Sequence, residues 1–215
     1  GVHVLQWGAN VWMTMESMFE NVQHVTIAPY AGTPNLKHCI SMKNMFKGCT
    51  SFNSDIEHWN TSHVENMSSM FEHCNNFNRS LMKWNVSKVT TMNSMFKNAI
   101  NFNQHIGTWD VSKVTDFNNM FNGAILFDSE LNSWNVQRSV TTTGILLGTA
   151  AKSAFIGSWD SVEDTDNDNT KHALFLKNLG GTSIYSKSNG DIVIKCTKGN
   201  VNVSEGEHSG SNPNF

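Results

Sequence analysis

The apolar positions of this chain recur at one fixed interval. Trp59, Trp84, Trp109, Trp134 and Trp159 stand 25 residues apart. Met45-Phe46, Met70-Phe71, Met95-Phe96 and Met120-Phe121 keep the same step, which Ile145-Leu146 continues with other apolar residues. Phe52, Phe77, Phe102 and Phe127 make a third column, and Ile56, Leu81, Ile106 and Leu131 a fourth. Upstream, Trp7 and Met18-Phe19 fit once two residues are inserted before the next coil, where Pro34 takes the tryptophan place. A unit this short cannot bury its apolar face alone, so a fixed period means that units stack and share a core. Counted from Trp7 to Trp159, the stack has about seven coils.

Each coil has two textures. "WNVSKV" sets Val86 and Val89 among polar neighbours, which predicts a brief strand. "VTTMNSMFKNA" then spaces Val89, Met92 and Met95-Phe96 three or four apart, which predicts one apolar face of a short helix. "INFNQHI" follows as a loop whose Phe102 and Ile106 point inward. A strand and a short helix per coil predict an α/β solenoid, right-handed because β-crossover-β units almost always take that hand. Stacked strands lie about 4.8 Å apart, so equal letters become rows along the axis. Asn53, Asn78 and Asn103 follow the phenylalanine column, and stacked Asn side chains there can satisfy turn backbone and one another.

The period is lost after Trp159-Asp160, which divides the chain into a repeat stack, 1–160, and a C-terminal capping segment, 161–215. In that segment "KHALFLKNL" predicts a short apolar helix and Gly180-Gly181 ends it. "IYSKSNGDIVIKC" predicts a hairpin turning at Asn189-Gly190, a strong two-residue turn signal, and "SEGEHSGSNPNF" a loose tail.

Composition narrows the class. Of 215 residues 39% are hydrophobic and 15% charged, which is neither a disordered nor a membrane-spanning balance. The formal charge of −3 gives no global reason to expect nucleic acid. The chain opens on Gly1 rather than Met, as a processed chain or a fragment would, and no signal peptide is visible. Cys49 and Cys74 share a column with Ala99 and Ala124, which argues for small buried side chains; a disulfide between neighbouring coils stays open.

Candidate chemistry is confined to columns. The tryptophans could form a sugar-stacking platform, but rings at coil spacing are closer than successive sugars, and buried packing with the indole N–H on a turn carbonyl fits better. The residues before the second Val of each predicted strand are His38, His63, Lys88, Lys113 and, ahead of a one-residue insertion, Arg138. Alternation predicts that these five project from one face. Like charges at coil spacing repel and give the fold nothing, so their recurrence points to an anionic partner, an acidic glycan or an acidic protein patch. The competing account is a solvated rim balanced by Glu65 and Asp116.

Asp164, Asp166 and Asp168 alternate as in a calcium loop, but Asn169 and Phe175 stand where that loop needs Gly and Glu. The nine His share no metal-ligand spacing, so neither a metal nor a cofactor is expected. Asn-x-Ser/Thr triplets such as Asn60-Thr61-Ser62 and Asn85-Val86-Ser87 arise from the repeat itself. No nucleophile elbow, phosphate loop or zincin motif is present, and no unique asymmetric cluster of reactive residues interrupts the columns. An enzyme is not expected.

The unit running from Trp59 to Phe77, from Trp84 to Phe102 and from Trp109 to Phe127 carries Trp, Val-Ser-x-Val or Thr-Ser-x-Val, Met-Phe and Phe in one order. It resembles the BspA-like surface-protein repeat in the variety found in mycoplasmal lipoprotein-associated proteins. "QWGANVWMTMESMF" and "TPNLKHCISMKNMFKGCTSFN" resemble entry coils of that family, and the likeness covers roughly residues 5–160. The resemblance implies a leucine-rich-repeat-like, extracellular or cell-surface module serving adhesion and protein–protein contact, with no catalytic residues to transfer. The expected function is therefore a non-enzymatic binding module that meets a host or neighbouring-cell protein or an anionic glycan through an exposed face. The alternative is a structural subunit of a virion, fibre or other extracellular assembly, with self-association.

Overall fold

The structure is a computed structural model that describes residues 1–131, 133–136 and 140–151, with the backbone of two strands at 182–186 and 192–196. Successive 25-residue units lie one on another in register. Parallel bridges join Ser41 to Asn66, Asn66 to Thr91, Thr91 to Asp116 and Asp116 to Thr141, one column followed through five coils. The entry is wider: β1 (Val2–Val4) pairs in parallel with β2 (Val25–Ile27), with Val2 opposite Val25 and Val4 opposite Ile27. The amide of Ser17 reaches the carbonyl of Lys43, whereas that of Ser69 reaches Asn93. The two extra residues read in the sequence are taken up in this first interval.

The core is a set of aligned rings. Phe46, Phe71, Phe96 and Phe121 follow one another at 5.5–5.7 Å between centroids, nearly parallel. Phe52, Phe77, Phe102 and Phe127 run beside them at 5.6–6.1 Å. Within a coil the two rings stack face to face, at 3.9 Å for Phe96 and Phe102. These eight side chains are fully enclosed, and burial of each contributes about 1.5–3 kcal/mol. Offset stacking adds roughly 0.5–1.5 kcal/mol per pair. At the entry Pro34 leaves the tryptophan place short, and Trp7 lies edge-on against Trp59 at 5.3 Å.

The expected short helix is absent from the described residues, and consecutive turns stand in its place. Met92 to Met95, Ser94 to Lys97 and Phe96 to Ala99 each close by an amide-to-carbonyl bond over three residues, at 3.0–3.1 Å. The reason lies in two columns of left-handed backbone. Asn44, Ser69, Ser94 and Asn119 have φ between 54° and 57°, and Gly144 has 65°. Four residues on, Gly48, His73, Asn98, Gly123 and Gly148 have φ between 57° and 74°. A left-handed residue every fourth position interrupts an α-helix, since L-residues carry a steric cost there that Asn and Gly bear best. The apolar spacing of three and four is real; its period belongs to turns.

These turns free every second amide for the next coil. The amides of Met92, Ser94, Phe96 and Asn98 donate to the carbonyls of Asp116, Asn118, Met120 and Asn122 at 2.7–2.9 Å. The expected strand also shifts: the parallel bridge falls at Thr91, after "WNVSKV", which is itself a turn. In the C-terminal segment β3 (Thr182–Ser186) pairs antiparallel with β4 (Ile192–Cys196), Ser186 opposite Ile192. The expected turn at Asn189-Gly190, the short helix and the tail lie outside the described residues.

Candidate binding edge

The column expected to bind is built from a recurring four-residue turn. The carboxamides of Asn35, Asn60 and Asn85 and the carboxylate of Asp110 accept the amides of Lys37, Ser62, Ser87 and Ser112 at 3.4, 3.1, 3.0 and 3.1 Å. Each overlaps a second turn, in which Cys39, Val64, Val89 and Val114 donate to Leu36, Thr61, Val86 and Val111, all at 2.9 Å. Asn and Asp favour such side-chain-closed turns because their short acceptors reach the amide two residues on. His38, His63, Lys88 and Lys113 each occupy the third place of that second turn and are exposed. The residues on either side of the corner are buried, Val86 and Val89 for Lys88, Val111 and Val114 for Lys113. The cations project because they sit on a corner pinned by two core side chains, not because a strand alternates.

Electrostatics separates this column from Lys47 and Lys83. Lys47 pairs with Glu72 at 3.0 Å and Lys83 with Glu57 at 3.3 Å. Among the described residues no ion pair includes Lys88 or Lys113. The expected counter-charges do not serve: Asp116 accepts from the Asn118 amide and the Thr141 hydroxyl, and Glu65 makes no ion pair among the described residues. Asp110 is the acid that sequence reasoning missed. Hydrogen bonds from the Ser112 side chain and amide, with a smaller part from the nearby Lys113 charge, hold its carboxyl below the usual range. Its signal was legible as an Asp in the place of Asn60 and Asn85. Lys37, beside His38, was also missed and is exposed. Arg138 lies outside the described residues.

The other singled-out columns are occupied by the fold. Trp59, Trp84, Trp109 and Trp134 are buried, so their faces are closed to a ligand. The indole N–H groups of Trp84, Trp109 and Trp134 donate to Ile56, Leu81 and Ile106 carbonyls at 3.0, 3.1 and 3.0 Å. The Trp59 indole N–H has no partner among the described residues, and Trp159 lies outside them. The Asn column is a relay: Asn53, Asn78 and Asn103 accept the amides of Asn78, Asn103 and Asp128 at 3.1, 3.0 and 2.9 Å. Among the described residues no three of His, Cys, Asp and Glu gather to hold a metal ion. The acidic loop with Asp164, Asp166 and Asp168 lies outside them.

The thiols of Cys39, Cys49 and Cys74 are free and buried. Cys74 donates to the Phe46 carbonyl at 2.8 Å and Cys49 to the Phe19 carbonyl at 3.1 Å. Burial pushes the Cys49 thiol up to about 12. Because the folded value lies above the unfolded one, this thiol's contribution is complete below the usual thiol range and is lost as pH rises towards 12. Thermal melts of the wild type from about pH 8 to about pH 11.5 should therefore show stability falling with pH, and Cys49→Ala should flatten that slope. An identical slope in the variant would assign the loss to other groups.

Against this geometry, one family model matches the chain twice, over residues 13–106 and 80–175; its description is "Mycoplasma protein of unknown function, DUF285". The chain belongs to the DUF285 family. The two matches overlap within the repeat and together run from the entry coils past Trp159. No curated protein and no solved structure matches it.

Proposed function

We propose that this DUF285 chain is a right-handed, leucine-rich-repeat-like solenoid of the BspA-like kind. It acts without catalysis, at a cell surface, by binding an anionic macromolecule along the corner column of His38, His63, Lys88 and Lys113, which Arg138 continues in the sequence. The observation that carries the reading is the corner itself. Lys88 and Lys113 stand exposed and free of ion pairs among the described residues, on turns fixed at both ends by buried valines. A preformed row loses little conformational freedom on binding, so several weak charge contacts can add up to useful affinity. The family membership supports the repeat and carries no ligand.

The test is retention on immobilised heparin and, separately, on poly-glutamate, which distinguish an acidic glycan from an acidic protein patch. Lys88→Ser, Lys113→Ser and Arg138→Ser combined should abolish retention on the preferred matrix and leave the melting temperature unchanged. Retention of wild type should also weaken as salt rises through the physiological range, because exposed charges are screened over about 8 Å there. Unaltered retention of the triple variant overturns the proposal.

A further inference from the structure

Two kinds of base share the corner column. His38 and His63 stand in two consecutive coils, and Lys88 and Lys113 in the next two, each at the third place of the same turn and exposed. Two residues past the corners, the amides of Glu65, Thr90 and Thr115 donate to the carbonyls of Ile40, Glu65 and Thr90, all at 2.8 Å. Bonds of one length through four coils keep the corners in step, about 4.8 Å apart from coil to coil. That step is shorter than the screening length of about 8 Å at physiological salt, so neighbouring corners act together on one ligand. A lysine keeps its charge across the physiological range, whereas an imidazole ordinarily gains its proton near pH 6.5.

The histidine corners are as firmly placed as the lysine corners. Buried Leu36 and Cys39 bracket His38, and buried Thr61 and Val64 bracket His63. His63 Nδ1 lies 3.2 Å from the Ser62 hydroxyl, which donates to a neutral ring or accepts from a protonated one, so the contact survives either form. The charges placed about the two rings are Lys37 beside His38, Lys88 one coil beyond His63, and Glu65 two residues past His63. Until His63 is protonated, the Glu65 carboxylate opposes an anion at that coil.

We infer, on the anion-binding reading of the same column, that pH sets how much of the row is engaged: the lysine corners hold an acidic glycan at neutral pH, and the histidine corners join in mild acid. A bound anion favours the protonated imidazole over the neutral one, so binding takes up protons and tightens as pH falls. The imidazole share is complete in mild acid and is lost as pH rises through the value that the bound state sets. The partner must keep its own charge in acid. Sulfate groups of a glycan do, while the carboxylates of a glutamate-rich patch begin to lose theirs.

Binding of the full chain to heparin, at about pH 7.5 and about pH 5.5 in constant salt, is the test. The apparent Kd should fall roughly three- to thirtyfold on acidification, the range for two exposed charge contacts, and its salt dependence should steepen. His38→Gln combined with His63→Gln should remove that gain, while the remaining histidines keep any share of their own. His38→Arg combined with His63→Arg should give, near neutral pH, the tighter binding that wild type reaches only in acid. A gain that survives the glutamine pair, or wild-type binding indifferent to pH, overturns the inference and leaves the lysine corners standing. Absence of binding at either pH overturns both readings. A gain on poly-glutamate in place of heparin overturns the choice of a glycan.

Discussion

Phe96→Ala should destabilise the chain by about 3–5 kcal/mol, the range for emptying an enclosed aromatic site. Phe96 is fully buried and lies parallel to Phe71 at 5.5 Å, Phe121 at 5.7 Å and Phe102 at 3.9 Å. Removing it breaks both columns at mid-stack, where backbone bonds to the coils on either side prevent collapse into the void. Phe96→Leu, which keeps most of the volume, should lose much less. Urea denaturation of the three proteins measures the difference, and a loss below about 1 kcal/mol for Phe96→Ala would mean that the rings are not stacked as described.

The second large effect is expected at Asn98. Asn98→Pro should cost about 3 kcal/mol or more, because proline fixes φ near −65° where the chain has 57° and removes the amide that donates to Asn122 at 2.7 Å. Two milder substitutions give the sign. In an exposed helix Asn98→Ala would be stabilising and Asn98→Gly destabilising, by up to about 1 kcal/mol. In a left-handed turn the order reverses. Asn98→Gly would be accepted, as Gly123 and Gly148 are in the same column, and Asn98→Ala would be strained. Melting curves showing the alanine variant above the glycine variant would refute the turn reading.

That contrast also shows what was legible in the sequence. The columns were, because a fixed period forces like residues into like environments: the tryptophans, the two phenylalanine rows and the Asn relay lie where equal letters put them. The local backbone was not. Val89, Met92, Met95 and Phe96 have helical spacing, and periodicity alone cannot distinguish a helix from turns of nearly the same pitch. The information lay in the residues between them. Asn, Ser, Gly and His share the places of Ser94 and Asn98, and Asn and Gly there signal left-handed backbone.

The same blind spot affected the candidate binding edge. Its four described residues are exposed as expected, but the cause is a turn opened by Asn35, Asn60, Asn85 or Asp110, whose side chain closes on the third residue. Treating Asn85 as the start of a turn would have brought in Asp110 as its equivalent, and with it an acid close to Lys113. The ion-pair status of Lys88 could not be read from the chain, because it depends on which acids other coils have already engaged.

The bridges through Ser41, Asn66, Thr91, Asp116 and Thr141 have a consequence for how such a molecule changes size. Gain or loss of one whole unit leaves each ring above its counterpart and each donor above its acceptor. A change of any other length keeps the columns aligned only where a loop takes up the surplus, as for the two extra residues between Phe19 and Phe46, whose rings still stack at 5.5 Å. Duplication and excision of gene segments can therefore alter the reach of the stack only in single-coil steps, with the surface pattern renewed at each step.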